Sequence, residues 1–312
     1  MAKMKAIRIH NYGGPEVLRY EDAPRPTPGP GELLIKVHAA SVNPVDWKMR
    51  GGYLRDLIPR SLPLIPGLDV SGVVEEVSSD VTSFRKGDEV YARLSDARRG
   101  TYAEYTIAKE TEAALKPKSV DHVHAAAVPL AALTAWQALF EKAQLSAGQK
   151  ILIHGAAGGV GGFAVQLAKW KGAHVIGTAG GMNQTFLREL GVDELIDYEK
   201  TRFDDALRDV DAVLDTIGGD TQQRSSKVLK RGGILVSIAG RPSREEAAKY
   251  GVRAEFLAAQ TSSSQLAEIA QLVDSGQIRP IVETVLPLSE ARHAQEISQR
   301  GHARGKIVLK VA

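Results

Sequence analysis

The chain has 312 residues, 43% of them apolar and 25% charged, with 40 Lys and Arg against 37 Asp and Glu. At roughly 150 residues per domain this length suggests two full cores, and a net charge of +3 argues against a dedicated nucleic-acid or membrane-surface binder. Cysteine is absent, which excludes disulfides, thiolate catalysis, iron–sulfur clusters and every Cys-containing zinc site, and leaves only His and carboxylate metal sites open.

The opening residues lack an apolar core long enough for a secretory signal, and no window approaches the roughly 18 apolar residues of a membrane span. A cytoplasmic protein is expected. Residues 5–10, 33–39, 70–77, 88–91 and 101–107 read as strands, while 23–31, with four prolines and two glycines, breaks regular structure. These predict an irregular, partly closed β domain. From 125 to 143 the chain is rich in Ala and Leu and helical, with a break at Pro129. Strands at 150–154, 174–178, 194–196, 210–215 and 233–239 then alternate with helices at 162–171, 183–190 and 221–229. That alternation predicts parallel β-α-β units in a doubly wound sheet. A helix at 264–275, a strand at 282–286, a helix at 289–299 and a strand at 306–311 close the chain. The last strand is expected to return to the N-terminal β region. An α/β chain follows, in which a Rossmann unit, 125–275, is inserted into a β domain made of 1–124 and 276–312.

The strongest local signal is Ile151-Leu-Ile-His-Gly-Ala-Ala-Gly-Gly-Val-Gly161, with strand before it and helix after it. Against G-x-G-x-x-G, Ala156 takes the first position, Gly158 and Gly161 fit the other two, and Ala157, Gly159 and Val160 fill the spaces. Gly158 would let the backbone approach a pyrophosphate, Gly161 would let the helix pack closely on its strand, and amides at the helix start would supply anion donors. A tight βα turn that binds nothing is the alternative, and the β-α-β units that follow favour a dinucleotide. About 20 residues on, NAD enzymes place an acid on the ribose. The corresponding Gly177-Thr-Ala-Gly-Gly-Met-Asn183, with Thr178, Gly180, Gly181 and Asn183 in reach, has none, so a 2′-phosphate meets no repulsion there and NADP(H) is favoured. It also has no Lys or Arg, so a cation for that phosphate must come from elsewhere.

The motifs Tyr12-Gly-Gly-Pro-Glu-Val-Leu18, Ser41-Val-Asn-Pro-Val-Asp-Trp-Lys48, Pro66-Gly-Leu-Asp-Val-Ser-Gly72, Leu133-Thr-Ala-Trp136, the glycine turn and Arg304-Gly-Lys-Ile-Val-Leu309 resemble, end to end, the medium-chain dehydrogenase/reductase superfamily in its zinc-independent quinone oxidoreductase branch. The Asn-Pro-Val-Asp-x-Lys run is most similar to NADPH-dependent alkenal/enone oxidoreductases. The resemblance implies a GroES-like catalytic domain around the Rossmann domain, and a small electrophilic substrate, quinone or enone. It also implies a homodimer, with neither nucleic acid nor membrane as partner. Zinc members use Cys ligands that this chain lacks, so metal-free hydride transfer from nicotinamide is implied. By family position Asn43 would lie near nicotinamide and substrate and donate to a developing oxyanion, and Thr134 would touch the nicotinamide side. Ile217, the backbone of Ile238, Ala239 and Gly240, and Phe256 with Leu257 would flank the cofactor. Tyr198 would pack by the 2′-phosphate, with Arg304 or Arg300 as its cation.

Several residues carry two readings. Tyr53 is a proton donor or lines the mouth of the site; Lys48 and Arg50 attract an oxygen or are solvated charges. Asp46 is a general acid or base, or holds an Asx turn, and Asp69 ties down its own turn. His122 and His124 are a metal pair or a helix-entry loop. His154 is packed or cofactor-adjacent. Arg98 and Arg99 contact a phosphate or nucleic acid, or are solvated, and a solvated loop is favoured because no aromatics are interleaved with them. A non-catalytic, crystallin-like NADPH binder and a trafficking relative of the same fold remain as alternatives to an enzyme.

Overall fold

The computed structural model describes residues 2–56, 61–95 and 100–312, so the Arg98–Arg99 pair lies outside the described residues. The chain runs through β1 (Lys3–Arg8), β2 (Arg19–Pro24), β3 (Glu32–Val42), α1 (Pro44–Arg50), β4 (Asp69–Val77), β5 (Glu89–Arg93), β6 (Tyr105–Lys109), β7 (Ala113–Leu115), α2 (His122–Ala126) and α3 (Pro129–Trp136). Next come β8 (Lys150–His154), α4 (Gly159–Trp170), β9 (His174–Ala179), α5 (Gln184–Glu189), β10 (Glu194–Asp197), α6 (Phe203–Ala206), β11 (Val210–Asp215), α7 (Gly219–Ser225), β12 (Leu229–Ser237), α8 (Arg244–Lys249) and β13 (Arg253–Phe256). It ends with α9 (Ser263–Asp274), β14 (Val282–Pro287), α10 (Ala291–Arg300) and β15 (Lys306–Lys310). No helix among the described residues is long and apolar enough to cross a membrane.

Two units are distinct. One comprises Met1–Leu130, Gln260–Gly276 and Pro280–Ala312, and the other Ala131–Ala259 with Gln277–Arg279. This differs from the division at 125 and 275 read from the sequence, because α9 goes with the first unit. Its N-cap neighbour Thr261 accepts from Arg93 at 2.6 Å, its Leu266 carbonyl accepts from the buried Tyr91 hydroxyl, and Asp274 accepts from the Ser119 amide at 2.8 Å. A helix placed by alternation alone therefore belongs to the sheet it packs on. Leu266, Ile269, Ala270 and Val273 are its buried stripe, at the spacing of one helical face.

In the first unit the sheet order is β14-β15-β3-β4-β5-β7, with β6 also on β3, and β1 and β2 form a separate antiparallel pair. Strand β3 is buried along nearly its whole length, as a central strand must be, whereas β14 alternates half-buried and exposed residues as an edge strand does. β15 does return to β3, antiparallel, with Ile307 opposite Val42. In the second unit six parallel strands run β10-β9-β8-β11-β12-β13, the doubly wound order whose direction reverses between β8 and β11. Leu152, Ile176, Val213 and Leu235 fill a core on that sheet together with Phe203 and Val228.

Candidate functional site

Ligands of open α/β sheets bind outside the carboxyl ends of the strands, where strand order reverses. The glycine turn leaves β8 at that point. Gly158 caps α4, and the helix's first three amides, on Gly159, Val160 and Gly161, have no carbonyl one turn back to receive them; no side chain caps them either. Three N–H groups at the positive end of a 12-residue helix have the arrangement that accommodates an anion. A Cβ on Gly161 would lie 2.2 Å from the Gly155 carbonyl oxygen and 2.8 Å from the Ala156 Cα, so the helix sits against the turn at glycine distance. The tight-turn role assigned to the Ala156 position falls one residue earlier: Gly155 holds φ +65°, while Ala156 is fully buried. Only Ala157, 7% exposed, separates that core position from Gly158.

The other strand ends converge on the same edge. Asp215, fully buried, accepts the Ile217 and Gly218 amides at 3.0 and 2.8 Å and the Ser237 hydroxyl at 2.7 Å. Gln222 donates to Asp215 at 3.0 Å and to the Gly240 carbonyl at 3.0 Å. This lattice fixes the loops that carry Ile217 and Ile238–Gly240, and Ile217 is left 58% exposed. The Leu257 amide donates to the Ser237 carbonyl at 2.9 Å, and the Arg241 guanidinium lies over the Phe256 ring at 5.2 Å. Ser237 and Gln222 carried no role in the sequence reading; a hydroxyl ending an apolar strand is the signal that was available.

Thr178 is corrected. Its hydroxyl meets His154 Nδ1 at 3.1 Å inside the protein and is not free for a cofactor. His154 is packed: Nε2 meets Ser225 Oγ at 3.0 Å, and Ser225 itself donates to the Thr221 carbonyl at 2.7 Å. Nε2 therefore donates and Nδ1 accepts from Thr178, a neutral tautomer. Burial pushes the imidazole down to about 4. Asn183 stands at the N-cap position of α5 without a side-chain cap bond, and Thr134 is buried on α3.

In the first unit a buried polar network surrounds Asn43. Its backbone N–H donates to Asp46 Oδ2 at 2.8 Å, as Asn-Pro-x-Asp at a helix start should arrange. Its side chain does something else. Nδ2 donates to Asp69 at 2.8 Å, and Oδ1 accepts from the ammonium of Lys306, which also donates to the Val42 carbonyl at 3.0 Å. Asp69 holds the Leu130 amide at 2.9 Å, and Asp46 accepts the Tyr102 hydroxyl at 2.8 Å. Asn43 is 3% exposed, and both ends of its amide are engaged, Nδ2 by Asp69 and Oδ1 by Lys306, so here the amide acts as a tether. Burial raises Asp46 to about 7 and raises Asp69, while Lys306 lowers both; burial in turn lowers Lys306. Two buried carboxyls lie within the field of one buried ammonium, which bonds Asn43 and Val42 and neither acid directly.

Lys48 and Tyr53 do not join this network. Both approach Trp47 instead, Tyr53 edge-on at 6.3 Å and Lys48 Nζ at 5.5 Å from the ring, and Tyr53 is 73% exposed. Arg50 is not a solvated charge: it is buried and donates to Gln295 at 2.7 Å and Gln299 at 3.0 Å. Arg304 is exposed in the first unit. His122 and His124 part company on α2, His122 to Ser71 at 2.8 Å and Glu89 at 3.2 Å, His124 to Asp121 at 2.7 Å. Among the described residues no three His, Asp or Glu side chains form a group able to hold a metal.

Residues 29–118 match the alcohol dehydrogenase GroES-like domain model, and residues 190–309 match a zinc-binding dehydrogenase model. The chain is 38% identical to the mouse mitochondrial NAD(P)H oxidoreductase RTN4IP1 over 99% of its own length and 89% of the relative's. It is 36% identical to an Arabidopsis thaliana chloroplastic NADPH-dependent alkenal/one oxidoreductase, over 98% of this chain and 79% of that one. The structure of a quinone oxidoreductase from Coxiella burnetii matches with a TM-score of 0.94 and 38% identity over the whole of both chains. A six-stranded Rossmann sheet interrupting a GroES-like β unit, with relatives of this kind along its full length, makes the chain a member of the medium-chain dehydrogenase/reductase superfamily, in its quinone oxidoreductase branch.

Proposed function

We propose that the chain reduces a quinone, or the activated C=C bond of an α,β-unsaturated carbonyl, with NADPH and without a metal. The observation that carries the reading is the set of three open amides on Gly159, Val160 and Gly161 at the strand-order switch of the parallel sheet. A dinucleotide diphosphate is the anion that such a turn suits, and Ile217, Gly240 and Phe256 lie along the same strand-end edge. Bound there, the reduced nicotinamide supplies the hydride.

The chain's own residues position and exclude. Asp215, Ser237 and Gln222 keep the strand-end loops rigid, which preserves the alignment that hydride transfer needs. Asn43 works as a positioning residue that fixes the start of α1, the helix that carries Lys48 and leads into Tyr53. The exposed phenol of Tyr53 and bulk water are the two proton sources, and Tyr53→Phe separates them. NADPH is the cofactor of the Arabidopsis alkenal/one oxidoreductase by its name, which supports this choice.

The test follows NADPH oxidation by the full chain, after exhaustive chelation, against benzoquinones, naphthoquinones, alkenals and enones. Turnover of at least one class with no metal bound is expected. Cofactor binding without turnover of any acceptor would leave a binder in place of an enzyme, and restoration of rate by stoichiometric zinc would overturn the metal-free reading.

A further inference from the structure

Residues 177–183 contain no acid, yet the fold brings two to them from the next strand. β10 lies beside β9 in parallel, with Asp197 opposite Ala179, so the residues just beyond β10 flank Gly180 and Gly181. A Cβ on Gly180 would lie 3.1 Å from Glu199 Oε1 and 3.3 Å from the Tyr198 hydroxyl; one on Gly181 would lie 3.0 Å from Asp197 Oδ2 and 3.9 Å from Glu199 Oε2. Two adjacent glycines thus form a floor under carboxylate oxygens.

Asp197 is 8% exposed, and its Oδ2, aimed at Gly181, has no hydrogen-bond partner; Oδ1 accepts the Glu199 amide at 3.1 Å. The cation against Oδ2 is Lys200 Nζ at 3.4 Å, on a side chain 76% exposed. Lys200 offsets one of the two acids and leaves Glu199, which touches the Gly181 amide only at 3.5 Å. In a doubly wound dinucleotide site the end of the second strand of the unit, here β9, is where the adenosine ribose is read. A carboxylate there accepts from the 2′ and 3′ hydroxyls of NADH and repels the 2′-phosphate of NADPH.

We propose that Glu199, backed by Asp197, reads the adenosine ribose, so that the chain binds NADH about as well as NADPH. Glu199 is then the residue that holds the preference near unity. This rests on the dinucleotide reading given above. It also replaces the argument that a 2′-phosphate meets no negative charge at this strand end, since that charge arrives from the neighbouring strand.

The experiment measures dissociation constants of NADPH and NADH by fluorescence titration of the full chain, at fixed ionic strength, for the unaltered protein, Glu199→Gln and Glu199→Lys. Expected are values for the unaltered protein within about threefold of each other. Glu199→Gln should shift the ratio about fivefold or more toward NADPH, the effect of one carboxylate near a phosphate in solvent, and Glu199→Lys should shift it further. Melting temperatures should not move, because Glu199 is exposed and holds no buried group. Strong NADPH preference in the unaltered protein, with the ratio unmoved in both variants, overturns this inference and leaves the dinucleotide site standing. Absence of binding by either cofactor in all three proteins overturns the site itself and the inference with it.

Discussion

Replacing Asn43 with alanine tests whether its amide is a tether or a donor to substrate. The substitution removes the Nδ2 contact to Asp69 at 2.8 Å and the carbonyl that receives the Lys306 ammonium. Both partners are buried and ionisable, and each loses a hydrogen bond that water cannot replace, at about 1–3 kcal/mol apiece. The sum is about 4 kcal/mol, and at about 2–4 °C per kcal/mol for a unit of this size the melting point should fall by about 10 °C. Urea unfolding of the full chain measures it, with Trp47 reporting on the first unit and Trp136 and Trp170 on the second. The Trp47 transition should move and the other should stay. Asn43→Asp should be worse, since it sets a third carboxyl beside Asp69 and Asp46. A loss below about 1 kcal/mol in Asn43→Ala, at unchanged m-value, together with slow hydride transfer, would refute the tether and restore a donor role.

Two pH dependences of opposite sign follow from buried groups. Asp46 holds its proton up to about 7 in the folded chain but releases it near 3.8 when unfolded. Its contribution is therefore fully present below that lower value and is lost as pH rises to 7, by about 4 kcal/mol; Asp46→Asn should flatten this slope in denaturant titrations across pH. His154, held down to about 4 against an ordinary 6.5, contributes above pH 6.5 and loses about 3 kcal/mol as pH falls to 4, a slope that His154→Gln should remove. Gly161→Ala should lower melting temperature and weaken cofactor binding about tenfold or more, because the atoms that meet its Cβ are backbone; unchanged dissociation constants would contradict the anion site.

Periodicity carried most of the second unit, though α6, α8 and β13 went unread. β8 and β11 fall where their apolar runs predict, because a strand buried on both faces must be apolar throughout. In the first unit the reading missed β2, β7 and α1, although Asn43, Pro44 and Asp46 spell a helix start. The glycine turn was legible because its chemistry is local. The polar network was not: Asn43 and Lys306 meet only because β15 pairs with β3, a long-range register that no spacing encodes. Glu199 escaped for the same reason, since its relation to Gly181 depends on two strands lying side by side.

The place of Lys306 in the chain has a consequence for how the protein is made. On the ribosome most of the second unit, Ala131–Ala259, emerges as one continuous stretch followed later by Gln277–Arg279, so that unit can fold while synthesis continues. The first unit cannot. Until β15 appears, Asp46 and Asp69 have no ammonium near them, and β3 lacks the strand that pairs with Ala39–Val42. A nascent chain stalled before Lys306 would thus present a finished second unit attached to an open sheet whose Asp46 and Asp69 still lack the field of the Lys306 ammonium. Such a species is one for chaperones to hold, and its rescue waits on the last strand.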